Sequence, residues 1–155
     1  MRTRLQRAHV VLVILTVALV GLGCSDASGT WVEHVASRSA EAENAAPDVA
    51  ERALRDIVER EVPNGIAAED RRVVHQDAYD RLAQLALDDS DLDAAERHVG
   101  AGLALGVRED LFSANLLTTR GRIHEARGRD REAAADYHLA LRISEALLEQ
   151  VLSGE

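Results

Sequence analysis

The chain has no lysine, one cysteine and four aromatic residues among its 155 residues. Because Cys24 is the only cysteine, no intramolecular disulfide can form, even in an oxidising compartment. With so few aromatics, any core must be built from Ala, Leu, Val and Ile. No run of alternating β-branched residues follows position 30, whereas Ala, Glu and Arg, which lose little side-chain entropy in a helix, are abundant. The composition therefore predicts an all-α fold.

The charge balance restricts the class of partner. All 18 basic residues are arginine, against 27 acidic residues, so the formal net charge is −9. Arg2, Arg4 and Arg7 lie in the segment 1–24, which contains no acid, so the remainder has 15 arginines against 27 acids, a net charge of −12. Nucleic acids and anionic headgroups are bound mainly through cationic side chains. We therefore expect no nucleic-acid partner.

The N-terminal segment 1–23 has the composition of an export signal. Three arginines precede the uncharged apolar segment 10–22, and small residues follow it. As a helix this apolar segment spans about 20 Å, which is shorter than the roughly 30 Å hydrocarbon core of a bilayer. We interpret residues 1–23 as a signal peptide; an uncleaved membrane anchor is the alternative.

The end of this segment resembles a lipobox. The tetrapeptide Gly21-Leu22-Gly23-Cys24 is similar to the cleavage motif of bacterial lipoproteins, although Gly21 stands where Leu is commonest. The resemblance implies lipidation of Cys24 and a lipid-anchored protein of the cell envelope that faces the periplasm. In a Gram-negative host, Ser25 favours the outer membrane over the inner one. An ordinary signal peptide cleaved near Gly23 or Ala27 is the alternative.

The remaining chain divides into a tether and a helical domain. Residues 24–46 are small, polar and without sustained apolar periodicity, so we predict a flexible tether. Apolar periodicity then predicts a flanking helix in 47–65 and a helical domain over 66–152, with helices ending at Gly106 and Gly128. The connections are short, so neighbouring helices are expected to be antiparallel.

The segment from about 114 to 147 resembles a tetratricopeptide repeat. Seven residues match the consensus of that family, and we call each consensus position a column: Leu117, Gly121, Gly128, Ala133, Tyr137, Ala140 and Leu141. A weaker copy over 76–109 matches at Tyr79, Leu82, Ala83, Ala95, Val99, Gly102 and Leu103.

The repeat departs from the family in several places. Arg120 stands where Leu is usual and His124 where Tyr is usual. Ala95 and Ala133 occupy the same column, but they lie further apart than the family period of about 34 residues. Residues 49–62 could be the second helix of a third copy, whose first helix would fall in the tether.

The resemblance implies a short right-handed array of antiparallel helix hairpins, about two repeats plus flanking helices. A helical bundle without superhelical stacking is the alternative. Tetratricopeptide arrays hold a peptide or helix on the face lined by the first helix of each pair, so a protein or peptide partner is implied. Carried over by column, the partner-binding residues are Asp77, Asp80, Gln84, Asp88, Asn115, Thr118, Arg122, Glu125 and Arg129. A solvated face without a partner is the alternative interpretation of the same residues. One basic cluster could receive an acidic partner: Arg120, Arg122, Arg127, Arg129 and Arg131.

The sequence contains no recognisable catalytic constellation. No glycine-rich phosphate loop, HExxH motif or serine elbow occurs, so we expect neither an enzyme nor a cofactor or metal site. His124 and His138, on paired helices, leave a metal-handling module as a minor alternative. The sequence therefore predicts a protein–protein interaction adaptor or assembly factor of a cell-envelope complex. A self-associating structural helical lipoprotein is the competing hypothesis.

Overall fold

The computed structural model describes residues 26–154, and over this range the chain contains helices and no strand. The predicted all-α fold is confirmed. The predicted signal peptide and Cys24 lie outside the described residues, and within them no helix has the length and apolarity that a membrane crossing requires. The helices of this range, in chain order, are α1 Asp26–Asn44, α2 Pro47–Glu59, α3 Ala68–Asp88, α4 Leu92–Ala104, α5 Leu111–Ala126 and α6 Asp130–Ser153.

The helices pack as three consecutive hairpins. Helix α1 packs on α2, α3 on α4, and α5 on α6. Neighbouring hairpins meet where α2 contacts α3 and where α4 contacts α5. Helix α5 also contacts α3 directly, so the first helices of the second and third hairpins lie against each other.

The predicted flexible tether is wrong for residues 26–44, which form α1. Trp31 and Val35, one helical turn apart, are 3% and 5% exposed and pack in one cluster with Leu54, Ile57 and Leu82 of the next two helices. Burying an indole ring of this size contributes several times the free energy of an alanine contact. Two large apolar side chains therefore anchor a segment in which most of the other residues are small or polar. Residues 47–65, predicted as a flanking helix, include the second helix of this additional hairpin.

The second and third hairpins close with the same backbone geometry. Helices α4 and α6 begin at 92 and 130, and left-handed residues precede them at Ser90 (φ 61°) and Gly128 (φ 69°). The amides of residues 89, 90 and 91 donate to the carbonyls of 85, 87 and 86, and those of 127, 128 and 129 donate to 123, 125 and 124. The predicted turn at Gly128 is confirmed, and the turn at Ser90 repeats it. We call the spacing between residues 92 and 130, where α4 and α6 begin, the hairpin interval. Two residues that are separated by this spacing occupy equivalent positions in successive hairpins.

Glycine allows close helix approach at two places. A Cβ on Gly121 would lie 2.7 Å from Cδ1 of Tyr137, which crosses it from α6. A Cβ on Gly102 would lie 2.8 Å from Leu116 and 3.2 Å from Tyr79, so Gly102 of α4 sits between α3 and α5. Both contacts leave no room for a side chain, and they set how near the helices can lie.

Candidate functional site: the polar face of α3 and α5

Most of the predicted partner-binding residues lie along α3 and α5. We call these residues the first-helix face: Asp77, Asp80, Gln84, Asp88, Asn115, Thr118, Arg122 and Glu125. The members on α5 are all exposed, as is Asp88 at the end of α3. Asp77 and Gln84 are partly exposed. The face is therefore open along α5 and partly covered along α3.

Asp80 joins the two helices from beneath this face. It is 5% exposed. Its Oδ1 accepts a 2.6 Å hydrogen bond from the Thr119 hydroxyl of α5, and its Oδ2 accepts one of 2.6 Å from Gln84 Nε2. Burial raises the pKa of Asp80 to about 6, and the two hydrogen bonds only partly oppose that rise. The expectation that this carboxylate is accessible to a partner is wrong, because it is buried between α3 and α5.

Arg122 is the exposed cation of the face. It lies close enough to Asp80 and Tyr137 to act electrostatically on both, favouring the ionised form of each. Within residues 26–154 it forms no ion pair, so its guanidinium remains available. Beside it, the Tyr137 hydroxyl donates a hydrogen bond to Glu125. Burial and this hydrogen bond raise the pKa of Tyr137 to about 12.

Arg129 lies apart from the first-helix face. It is the residue before α6, and its guanidinium donates to Glu96 of α4 at 3.0 Å. Glu96 also pairs with Arg127 at 3.0 Å, and Arg127 in turn bonds Asp93. Arg129 therefore holds the turn between α5 and α6 against α4, and its role in partner binding stays a prediction.

The predicted basic cluster is largely neutralised by the protein itself. Arg120 binds both oxygens of the buried Asp136 at 2.8 and 2.5 Å, and this pairing raises the pKa of Arg120. Together with the pairs formed by Arg127 and Arg129, this leaves Arg122 and Arg131 as the members without an ion pair in the described range. An acidic partner would find one arginine on the first-helix face rather than five.

The two histidines considered for metal binding do not form a site. His124 Nε2 lies 3.5 Å from Asp136, whose oxygens Arg120 already occupies. His138 is exposed on α6. Between residues 26 and 154, no group of three or more His, Cys, Asp or Glu side chains is arranged to hold a metal ion.

A group of polar side chains at the junction of α4 and α5 supports the site, and it was not apparent from the sequence. We call it the polar node: Arg72, Gln76 and Asp110. Gln76 is fully buried and donates to the carbonyls of Gly102 and Gly106 at 3.2 and 2.9 Å. Arg72, one turn earlier, bonds Gln76 and reaches Asp110 at 2.5 Å. Asp110 also caps α5, and its hydrogen bonds from Ser113 and Arg72 lower its pKa although burial opposes this. The only signal of this group in the sequence is that Arg72 and Gln76 lie four positions apart on a helix. Such a pair is equally typical of a solvent-exposed helix face.

Comparison with known proteins gave no match: no family model, curated protein or solved structure is significantly similar to this chain.

Proposed function

We propose that this protein is a protein–protein interaction adaptor that holds its partner on the first-helix face. The observation that carries the proposal is the direct packing of α3 on α5, secured by the Asp80–Thr119 hydrogen bond. This contact places two rows of polar side chains side by side on one rigid support. Such a surface suits an extended peptide or a helix, which needs a row of contacts more than an enclosed pocket.

We further propose that the three hairpins form a tetratricopeptide-like array. Three features support this: the recurrence of the turn geometry after one hairpin interval, the contact between first helices of successive hairpins, and the small residues Gly102 and Gly121 at the crossings. Arrays of this kind build a continuous core by stacking, so each hairpin covers its neighbour. The face of their first helices is then left free for a ligand.

We also propose that the protein is anchored in the cell envelope. The lipobox-like tetrapeptide ending at Cys24 supports a lipid anchor that would keep the adaptor at a membrane surface, facing the periplasm. Tethering raises the effective concentration of a binding surface near other envelope proteins without any new contact. The anchor is tested by labelling cells with a palmitate analogue. Label should appear on the wild-type chain and disappear in Cys24→Ala, whereas label that persists in the variant would refute the anchor at this residue.

The binding face is tested by charge reversal. The full chain is expressed in its native envelope, crosslinked and recovered, and the co-purifying proteins are compared between Arg122→Glu and wild type. Arg142→Glu, at an exposed arginine of α6 outside the first-helix face, is the matched control. We expect one or more partners to be lost in Arg122→Glu and retained in Arg142→Glu. Identical recovery from all three chains would exclude Arg122 from the binding surface and refute the proposed face.

A further inference from the structure

Helix α6 has an exposed stripe without charge. Its members are spaced alternately three and four positions apart, which is the pattern of a helix that packs along another helix. We call them the α6 seam: Ala134, Tyr137, Leu141, Ser144, Leu148 and Val151. All are exposed except Tyr137, which is partly buried. The one hydroxyl in the middle of the seam needs no outside partner, because Ser144 Oγ donates to the Ala140 carbonyl at 3.0 Å.

The equivalent positions one hairpin earlier are covered by a helix. Tyr137 and Leu141 stand one hairpin interval after Val99 and Leu103 of α4. Val99 is 1% exposed, and Leu103 packs on two core clusters that include residues of α5. Leu141, in contrast, is 55% exposed.

Most of the exposed large hydrophobic side chains lie on α6. In the described range, four of them are on this helix, and the other three are at the α4–α5 connection: Leu141, Leu148, Val151 and Leu152, then Leu105, Val107 and Leu111. Stacked hairpins need a neighbour or a polar cap on each outer face. The α1 end is closed by its own small and polar residues, whereas the α6 end offers leucine and valine to solvent, at 58% and 77% exposure for Leu148 and Val151.

We propose that a second copy of this chain covers the α6 seam, with the two α6 helices antiparallel about a twofold axis. If the axis passes midway between Leu141 and Ser144, each large side chain meets a smaller or complementary one. Leu141 then faces Ser144 of the second copy, Tyr137 faces Leu148, and Ala134 faces Val151. The interface uses the same patch on both copies, as the commonest homodimers do.

Polar residues beside the seam favour the same alignment. His138 and Glu145 are both exposed beside the seam, each one position beyond a seam residue. In the antiparallel register His138 lies beside Glu145 of the second copy, and symmetry makes this contact twice. A parallel register would instead place Ser144 against Ser144, leaving a gap, and would separate His138 from Glu145 of the second copy. Side-chain size and the His138–Glu145 contact therefore both select the antiparallel pair.

The seam lies on α6 and the first-helix face on α3 and α5, and the dimer is argued from α6 alone. The two surfaces meet where Tyr137 of the seam donates a hydrogen bond to Glu125 of the face. A dimer would present two first-helix faces, and a partner with two binding segments would then be held with higher avidity.

The dimer is tested by sedimentation of the full chain in a non-ionic detergent, over a dilution series. We expect a dimer for the wild type, and dissociation at about 100-fold higher concentration for Leu148→Glu, because the substitution places a charge in an apolar contact. Ala135→Glu introduces the same charge at an exposed α6 position outside the seam and should leave the dimer intact. Far-UV circular dichroism verifies that each chain is equally helical.

Three results would overturn the proposal: a wild type that stays monomeric, a Leu148→Glu chain that remains dimeric, or equal disruption by Ala135→Glu. The register has its own test, which also serves if Leu148→Glu does not fold. His138→Glu should weaken the dimer by placing like charges together, and adding Glu145→Arg should restore it. Weakening by His138→Glu without restoration by the second change would exclude the antiparallel contact.

Discussion

Replacing Asp80 by asparagine should stabilise the fold at neutral pH, even though it removes a residue with two good hydrogen bonds. The buried carboxylate is 5% exposed, pairs with no cation of the described range, and has its pKa raised from 3.8 to about 6. One pKa unit corresponds to about 1.4 kcal/mol, so keeping this group ionised above pH 6 costs about 3 kcal/mol. Asparagine has nearly the same shape and bears no charge at any pH. Its amide can also be satisfied, since the Gln84 amide can turn and the Thr119 hydroxyl can donate or accept.

The sign of the pH dependence follows from the direction of the shift. The folded state binds this proton more tightly than the unfolded state, so it holds more protons between about pH 4 and 6. The contribution of Asp80 to stability is therefore greatest below pH 4, falls as the pH rises through 6, and then stays constant. The lowered pKa of Asp110 acts in the opposite direction, with stability present above its unfolded value and lost as the pH falls. Only the difference between variant and wild type isolates Asp80.

The measurement is urea unfolding of the full chain in a non-ionic detergent, followed by far-UV circular dichroism at several pH values from 4 to 8. Allowing for lost charge-assisted hydrogen bonds, we expect Asp80→Asn to be more stable than wild type by about 1–3 kcal/mol at pH 7.5, with the difference vanishing toward pH 4. Asp88→Asn, at an exposed carboxylate on the same helix, is the control and should change stability by no more than about 0.5 kcal/mol at any pH. A difference that does not vary with pH would refute the reasoning. So would a variant less stable than wild type at pH 7.5, because the hydrogen bonds to Thr119 and Gln84 would then outweigh the burial of charge.

Two further predictions concern packing. Trp31→Ala should destabilise the domain by about 3–5 kcal/mol in the same unfolding assay, because it empties the centre of the core cluster shared with Leu54 and Leu82. A loss below about 0.5 kcal/mol would instead indicate that α1 is the flexible tether that its composition suggested. Gly121→Ala should destabilise by about 1–2 kcal/mol in spite of the higher helix propensity of alanine, because its Cβ would collide with the Tyr137 ring. Gly100→Ala, in α4 with no atom within 4 Å of the added Cβ, should instead stabilise by up to about 1 kcal/mol, and equal effects at the two glycines would contradict the crossing geometry.

The later helices could be predicted from the sequence because local signals mark several of their ends. Asp91 and Asp110 accept hydrogen bonds from the amides of Ala94 and Ser113, and Gly106 and Gly128 have the positive φ that ends a helix. Helix α1 lacks such signals. Its helical state is fixed by the contact of Trp31 with residues of the next two helices, and no property of the segment itself shows that contact.

The candidate site was only partly predictable for a related reason. The resemblance to the repeat consensus predicted the helices on which its residues lie, but a consensus position does not indicate how deeply a side chain is buried. Asp80 and Thr118 are equivalent positions, one hairpin interval apart, yet one is buried between helices and the other exposed. The difference arises because α5 covers α3, while no helix of the described range covers α5 in the same way.

The polar node at Arg72 and Gln76 explains why α4 and α6 differ in length, and with it the origin of the α6 seam. Helix α4 ends at Ala104, where Gln76 binds the carbonyls of Gly102 and Gly106 and Gly106 turns the chain at φ 109°. One hairpin interval later these two glycines are replaced by Ala140 and Ser144, and the position equivalent to Gln76 is Ala114, so neither the turning glycine nor the amide recurs. Helix α6 therefore continues to Ser153, well past Arg142, which is the equivalent of Ala104. Leu148 and Val151 belong to this extension, so the second half of the α6 seam exists because the stop signal of the previous hairpin is missing.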